Sequence, residues 1–296
     1  MNRISIYSHH GGGIAIQRGD RYYNLEFERL FKKRYISMLD VEDYDIKLDK
    51  ALETIDLCWD IKNDFSECII PKIWEDLKGK DVKCNEIIKR KIKSKKFIEC
   101  NHHEAHAASA FYQSPFKEAL IISFDGGGND GRFIVFKGDK NGIKKIHKLN
   151  VHSMGFNYRK VAQYIKEIPK DRNVLSYPGK LMALCSYGAV NKSYKSMFLG
   201  LYKDNNQIDL KENSLGPILP YDLVATNQNV FEEVFWDRVK EFITELPICL
   251  SGGCALNILN NTALGNKVKN DIYVPPNVDD SGIAIGQLWK SFPPKC

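Results

Sequence analysis

One pattern constrains the fold of this chain more than any other: a grammar of strand, glycine-rich turn, strand and turn that occurs twice. The first copy runs from Ile4-Ser5-Ile6-Tyr7 through Ser8-His9-His10-Gly11-Gly12-Gly13 into Ile14-Ala15-Ile16. It turns at Arg18-Gly19-Asp20 before Tyr22-Tyr23. The second runs from the apolar segment 119–124 through Asp125-Gly126-Gly127-Gly128-Asn129-Asp130-Gly131 into 132–137 and a turn at Gly138-Asp139. Short apolar runs bounded by glycine and aspartate are strand and turn signals. Two such units in one chain predict two related lobes facing a cleft.

The rest of the chain reads as α/β. Residues 48–62 and 84–93 look helical, and Phe97-Ile98 is a short extended piece ending at Cys100. A helix should open near Asn101. Asparagine is a good N-cap, and Glu104 three residues on approaches a capping box. Ala105, Ala107, Ala108 and Ala110 carry that helix, and Ser114-Pro115 stops it. Helices are expected over 153–167 and 222–245, and an apolar strand over 247–250 runs into Ser251-Gly252-Gly253. Ile272-Tyr273-Val274 is extended, and a last helix begins after Asp280 and Gly282.

Composition excludes several classes. Of 296 residues, 43% are hydrophobic and 27% charged, which is globular and not disordered. No apolar run approaches the ~20 residues of a membrane-spanning helix. The first residues lack an apolar region before a small-residue cleavage site, so no secretory signal is expected. Eight cysteines form no CxxC pair and read as the reduced thiols of a cytoplasmic protein. The net charge is +6, with one dense run at Lys89, Arg90, Lys91, Lys93, Lys95 and Lys96. The plain reading of that run is a solvated helix end. The functional one is attraction of phosphates, and its place just before the next helix is expected to flank the cleft.

Five constellations could carry chemistry. In His102-His103-Glu104-Ala105-His106, the first and last histidines lie one helical turn apart and can chelate one metal ion. The pattern is not HExxH, and the plain reading is an ordinary first turn. Asp125 precedes Gly126, Gly127 and Gly128, whose amides could close on phosphate oxygens while the carboxylate holds a cation. A simple hairpin turn is the alternative. Ser251-Gly252-Gly253-Cys254-Ala255-Leu256-Asn257 is a second cradle of that kind, or a plain β-to-α connection. Asp279-Asp280-Ser281-Gly282 puts carboxylates at a helix entry, where an N-cap is the ordinary role. Gly179-Lys180 could meet a nucleotide, but the GxxxxGK[ST] spacing is absent. There is no GxSxG elbow and no kinase signature.

In order along the chain, these segments resemble the O-carbamoyltransferase family of nodulation-factor and antibiotic biosynthesis. The matching pieces are HHEAHAASAFYQSPFKEALIISFDGGGNDG (102–131), HSMGFNYRKVAQYI (152–165), PGKLMALCSYG (178–188), LSGGCALN (250–257) and VPPNVDDSGIAIG (274–286). SIYSHHGGGIAI and EFERLFKKRY (26–35) look like a degraded form of the family's opening motif. A weaker likeness extends to the universal tRNA threonylcarbamoyl transferase, which shares the HxxxH and the final Asp.

The resemblance implies an actin-like, sugar-kinase-like (ASKHA) fold with two ribonuclease-H-like lobes around a cleft, residues 1–117 and 118–296. It implies a divalent metal, iron in the first place and zinc or manganese otherwise, held by His102, His106, Asp125 and Asp280. Gly126, Gly127, Gly128, Gly252, Gly253 and Asn257 would hold ATP, AMP or the adenylate of carbamoyladenylate, with Gly179 and Lys180 near the adenosine. Carbamoyl phosphate would be the carbamoyl source. The acceptor would be a hydroxyl on a small sugar-like metabolite or on a modified nucleic acid such as a hydroxymethylated DNA base. His10 is the candidate base. In the family this histidine is followed by Asp, and here by Gly11. Members usually continue into a domain that makes carbamoyladenylate. The sequence stops soon after Asp280, so a separate carbamoyladenylate-forming protein is the expected partner. The competing expectation is a non-catalytic actin-like, nucleotide-binding scaffold subunit of a nucleic-acid modification complex.

Overall fold

In the computed structural model, which describes residues 2–40, 42–170, 173–208 and 219–294, the repeated grammar becomes two five-stranded mixed sheets of identical order. The first begins with β1 (Asn2–Tyr7), β2 (Gly13–Arg18) and β3 (Arg21–Glu26), an antiparallel meander. Gly19, at φ +63°, makes its second turn. After α1 (Phe27–Phe31) and α2 (Tyr44–Trp59), β4 (Phe65–Pro71) lies parallel to β1. Then α3 (Lys78–Lys91) leads to β5 (Ser94–Cys100), parallel to β4.

The second sheet repeats this plan. β6 (Ala119–Gly128), β7 (Gly131–Asp139) and β8 (Gly142–Lys148) form the meander. A helical layer follows: α5 (Met154–Lys160), α6 (Tyr177–Leu184), α7 (Lys192–Lys203) and α8 (Pro220–Val239). β9 (Ile248–Ser251) then lies parallel to β6, and β10 (Ile272–Tyr273) parallel to β9, with α9 (Ile258–Gly265) between them.

Two helices join the sheets. α4 (His102–Gln113) packs its buried Ala107, Ala110 and Phe111 on Ile121, Ile134 and Phe136 of the second sheet. α10 (Ile283–Ser291) packs Ile283, Ile285 and Leu288 against Tyr7, Ala15 and Ile69 of the first. α4 and α10 meet each other at Gly286, where a Cβ would fall 2.1 Å from the Ala105 carbonyl oxygen. The run of alanines in α4 therefore serves close helix approach. A cut between residues 117 and 118 divides the sheets, but it leaves α10 on the first sheet and α4 on the second. The outer face of each sheet carries a separate core, Ile4, Ile6, Phe27 and Leu48 in one and Phe124, Phe133, Phe198 and Phe235 in the other. Burying each such side chain contributes ~1.5–3 kcal/mol.

Several local expectations change. The glycine run is not a turn: β6 continues through Gly128 with a register shift after Phe124, and only Asn129-Asp130 turns. Within 153–167 the α-helix ends at Lys160, followed by a 3-10 turn over Val161–Tyr164. β4 shows no alternation that would mark it as a strand, whereas α7 is amphipathic, with Tyr194, Phe198, Leu201 and Tyr202 at helical spacing on its buried face. The basic run does not flank the cleft. It spans the last turn of α3 and the start of β5, and the seven residues of that strand, at ~3.3 Å each, set the strand's start about 20 Å from α4. Lys91 there pairs with Asp49 at 2.5 Å and Arg90 with Asp45 at 3.7 Å. The seven cysteines among the described residues are free thiols, and Cys296 lies outside those residues. Among the described residues, no helix is long and apolar enough to cross a membrane.

Candidate metal centre and cleft

One strand and the N-terminal ends of two helices converge on one point. α4 presents His102 and His106 on one face, β6 presents Asp125, and a 3-10 turn (Asp280–Gly282) opening α10 presents Asp280. One ligand atom from each lies within 4.8 Å of all the others. His106 Nε2 is 3.1 Å from Asp125 Oδ2 and 3.3 Å from Asp280 Oδ1. His102 Nε2 is 3.4 Å and 3.7 Å from the same two oxygens. These four side chains are buried or nearly so.

Burial alone would drive the imidazolium of His106 to lose its proton and the two carboxyls to keep theirs. The pairing outweighs burial. Hydrogen bonds and charge from Asp125 and Asp280 hold the His106 pKa up at about 9. The histidines hold Asp125 well below the usual carboxylate range. Asp280 lies at about 2, where the charges of His10 and His102 overcome its burial. Two buried carboxylates thus require a positive charge between them. Two imidazole nitrogens and two carboxylate oxygens are a donor set for a divalent first-row metal, so these residues fit such an ion.

The residues behind the four donors were not legible beforehand. The Tyr7 hydroxyl donates to Asp280 Oδ2 at 2.9 Å and lies 3.3 Å from His102 Nδ1. His9 stacks on the Tyr7 ring, centroids 5.0 Å apart, with its Nε2 3.0 Å from Asp81 Oδ1. The one available signal was a tyrosine at the end of a buried strand, whose hydroxyl must find a partner. His103 turns away from the centre. Its Nδ1 lies 2.7 Å from Ser123 Oγ and its Nε2 3.1 Å from the Gly131 carbonyl oxygen, and burial lowers its pKa to about 4.

The centre sits at the edge of a cavity of about 700 Å³ between the sheets. His10 lines it, half-exposed, with Nε2 3.4 Å from Asp280 Oδ2. Gly126, Gly127, Gly179, Lys180, Gly253 and Asn257 also line it. Gly179 and Lys180 lie inside α6 and not ahead of it. Arg159, whose guanidinium lies 4.6 Å over the Phe156 ring, adds a cation that sequence reading passed over.

Two expected cradle glycines are elsewhere. Gly128 lies against α4, where a Cβ would be 2.6 Å from His102 Cδ2. Gly252, at φ +90°, would place one 2.3 Å from the Phe124 carbonyl oxygen. Both are glycine because neighbouring atoms approach closely, not because a phosphate must. Gly126 and Gly127 likewise admit the rings of Phe156 and Trp74, at 2.8 and 3.0 Å from a would-be Cβ. Asn257 reaches the cavity wall with its amide already spent. It exchanges hydrogen bonds of 3.0 and 2.9 Å with Gln228 and caps α9 through the Asn260 amide.

A two-sheet α/β cleft with a His2Asp2 centre defines a class, and the comparisons name it. The chain belongs to the carbamoyltransferase N-terminus family, whose model matches residues 58–215 and 207–288. It is similar to nodulation protein NolO of Bradyrhizobium diazoefficiens, 28% identical over 211 residues that make up 63% of this chain and 37% of that protein. It is also similar to the uncharacterized protein sll1178 of Synechocystis, 30% identical over 228 residues, 64% of this chain and 36% of that one. It spans little more than a third of the length of these curated relatives.

Among solved structures it is similar to HypF of T. kodakarensis, at a TM-score of 0.65 and 12% identity, covering 98% of this chain and 47% of HypF. Component A of the Acidaminococcus fermentans (R)-2-hydroxyglutaryl-CoA dehydratase matches at a TM-score of 0.59 and 12% identity, over 97% and 96% of the two chains. A full-length HypF in a phosphate- and nucleotide-bound form matches at a TM-score of 0.61.

Proposed function

We propose that this chain is the metal- and nucleotide-binding part of an O-carbamoyltransferase, built as an actin-like (ASKHA) pair of ribonuclease-H-like lobes, residues 1–117 and 118–296. The observation that carries the reading is the convergence of His102, His106, Asp125 and Asp280 within 4.8 Å at the edge of a cleft. The same cleft carries Arg159 and Lys180, and a solved neighbour of the same fold is described as phosphate- and nucleotide-bound.

In this reading the four donors hold a divalent metal, iron first and zinc or manganese otherwise. Bound there, such an ion supplies Lewis-acid chemistry at a carbamoyl carbonyl and lowers the pKa of a hydroxyl. Tyr7 fixes the orientation of Asp280 and His102 through its hydroxyl. His10, which lines the cavity with Nε2 3.4 Å from Asp280 Oδ2, is placed to accept the proton of the acceptor hydroxyl. Lys180 and Arg159 hold the phosphate of the donor and favour its departure as an anion. The donor is carbamoyladenylate or carbamoyl phosphate itself. The distance of the basic run from the cleft favours a small sugar-like acceptor over a nucleic acid.

The test is incubation of the chain with metal, ATP, labelled carbamoyl phosphate and a panel of hydroxyl acceptors that includes hydroxymethylated DNA, read by product mass. Gain of one carbamoyl group by an acceptor is the expected result. Absence of any labelled product, together with a purified chain that takes up no stoichiometric metal, would leave the scaffold reading in its place.

A further inference from the structure

The sequence places Asn101 as the cap of the metal-bearing helix, yet its side chain makes no capping hydrogen bond. The cap comes from across the cleft wall. Asn129 and Asp130 form the turn between β6 and β7, and their side chains reach the first turn of α4. Asn129 Oδ1 accepts from the His102 amide at 2.9 Å, and Asp130 Oδ1 accepts from the His103 amide at 3.1 Å. Asn129 Nδ2 donates to Asn101 Oδ1 at 2.7 Å, and Asn101 in turn donates to Glu104 at 3.0 Å. His103 closes the connection from the helix side, through Ser123 and the carbonyl of Gly131. One turn of one hairpin therefore satisfies two of the otherwise orphaned amides of the helix.

We propose that Asn129 and Asp130 are positioning residues for the metal centre: they fix the first turn of α4, and with it the direction of the His102 ring toward Asp125. The register of the hairpin makes this effective. Asp125 lies on the same strand β6 that ends at the turn, so one rigid piece of backbone both supplies a carboxylate and sets the imidazole facing it. A negative carboxylate at this helix end also opposes the partial positive charge there. Neither residue reaches the ligand position, so both act through His102 and His103.

The inference rests on the metal reading of the site, and the test separates the two. Zinc(II) alone is titrated calorimetrically into the full chain and into Asn129→Ala, Asp130→Ala and the double variant, with Asn191→Ala as a control. Asn191 caps α7 through the Ser193 amide at 2.9 Å, away from the centre. The double variant is expected to bind zinc about 10–100-fold more weakly, the usual cost of removing groups that orient metal ligands. Asn129→Asp and Asp130→Asn, which keep an acceptor oxygen, should recover most of the affinity. Unchanged affinity in the folded double variant, or an equal loss in Asn191→Ala, overturns the proposal. If the unaltered chain takes up no zinc, the functional reading fails and the clamp is read by amide exchange instead. The His102 and His103 amides should then be protected as strongly as the middle of α4, and exchange of those amides at the rate of a frayed end overturns it. Should the double variant not fold, the two single variants carry the same comparison.

Discussion

The Nε2 atoms of His102 and His106 stand 3.1 Å apart, each facing the same pair of carboxylates. Two nitrogens at that separation, set between two buried carboxylates, share either a proton or a cation.

Removal of a donor should separate the neighbouring histidines. His106→Ala deletes a nitrogen that faces both Asp125 and Asp280, and stoichiometric metal is expected to vanish at saturating ion concentration. His103→Ala should keep one metal per chain, because its nitrogens are engaged with Ser123 and Gly131. Metal analysis of the two purified variants checks this, and the opposite pattern would mean that the register of the helix is wrong.

Stability should depend on pH in a way that metal abolishes. Without metal, His106 has a folded pKa of about 9 against about 6.5 unfolded. Its contribution is fully present below pH 6.5 and is lost as pH rises through 9, a decline of order 1–3 kcal/mol. Asp280, at about 2 when folded, contributes above its unfolded value near 3.9 and loses that contribution as pH falls toward 2. With metal in place of the proton, the alkaline decline should disappear. Thermal melts from pH 6.5 to 9, with chelator and with metal, make the comparison. Parallel curves would count against a cation site.

Two glycines, one packed on α4 and one in the cavity wall, should respond in opposite directions. Gly128→Ala forces a methyl to within 2.6 Å of the His102 ring, and a loss of about 1–3 kcal/mol is expected, as for overpacking elsewhere, together with weaker metal binding. Gly179 has open space around it within a helix, so Gly179→Ala should be neutral or stabilise by up to ~1 kcal/mol. Denaturant unfolding of both variants is the measurement.

Nucleotide should depend on the cleft cations and not on the distant run. Lys180→Ala and Arg159→Ala are expected each to weaken AMP or ATP binding about tenfold, as loss of a charge-assisted contact of ~1.5 kcal/mol does. Charge reversal at Lys95 and Lys96 should leave it unchanged. Calorimetry in the presence of metal tests both, and equal effects from the two sets would place the anion site elsewhere.

How much of the molecule was legible depends on the kind of signal each part emits. The duplicated sheets were readable because strand, glycine and strand recur in the same order, and the pairing of His102 with His106 because HxxxH is a local pattern, whereas the joining of Asp125 and Asp280 to them followed only from the family resemblance. Tyr7 and Asp81 were not, because their partners lie far along the chain, as in the 273-residue span from Tyr7 to Asp280. Asn129 was not, because its role depends on a hairpin folding back on a helix. Among the glycines, Gly128 and Gly252 were seen but do not line the cavity. Sequence cannot distinguish a glycine that frees an amide for phosphate from one that admits an aromatic or imidazole ring, and Gly128 is of the second kind.

The bond from Tyr7 to Asp280 also sets an order in time. A ribosome releases Tyr7, His102, His106 and Asp125 long before Asp280, which stands at the entry to α10, the helix packed on the first sheet. A nascent chain therefore offers three donors, with the Tyr7 hydroxyl beside His102 already made, but without their closing carboxylate. In the proposed metal reading, capture of an ion becomes a late event, conditional on both sheets being built and joined, so the metal content of a preparation should serve as a readout of how much of it completed folding.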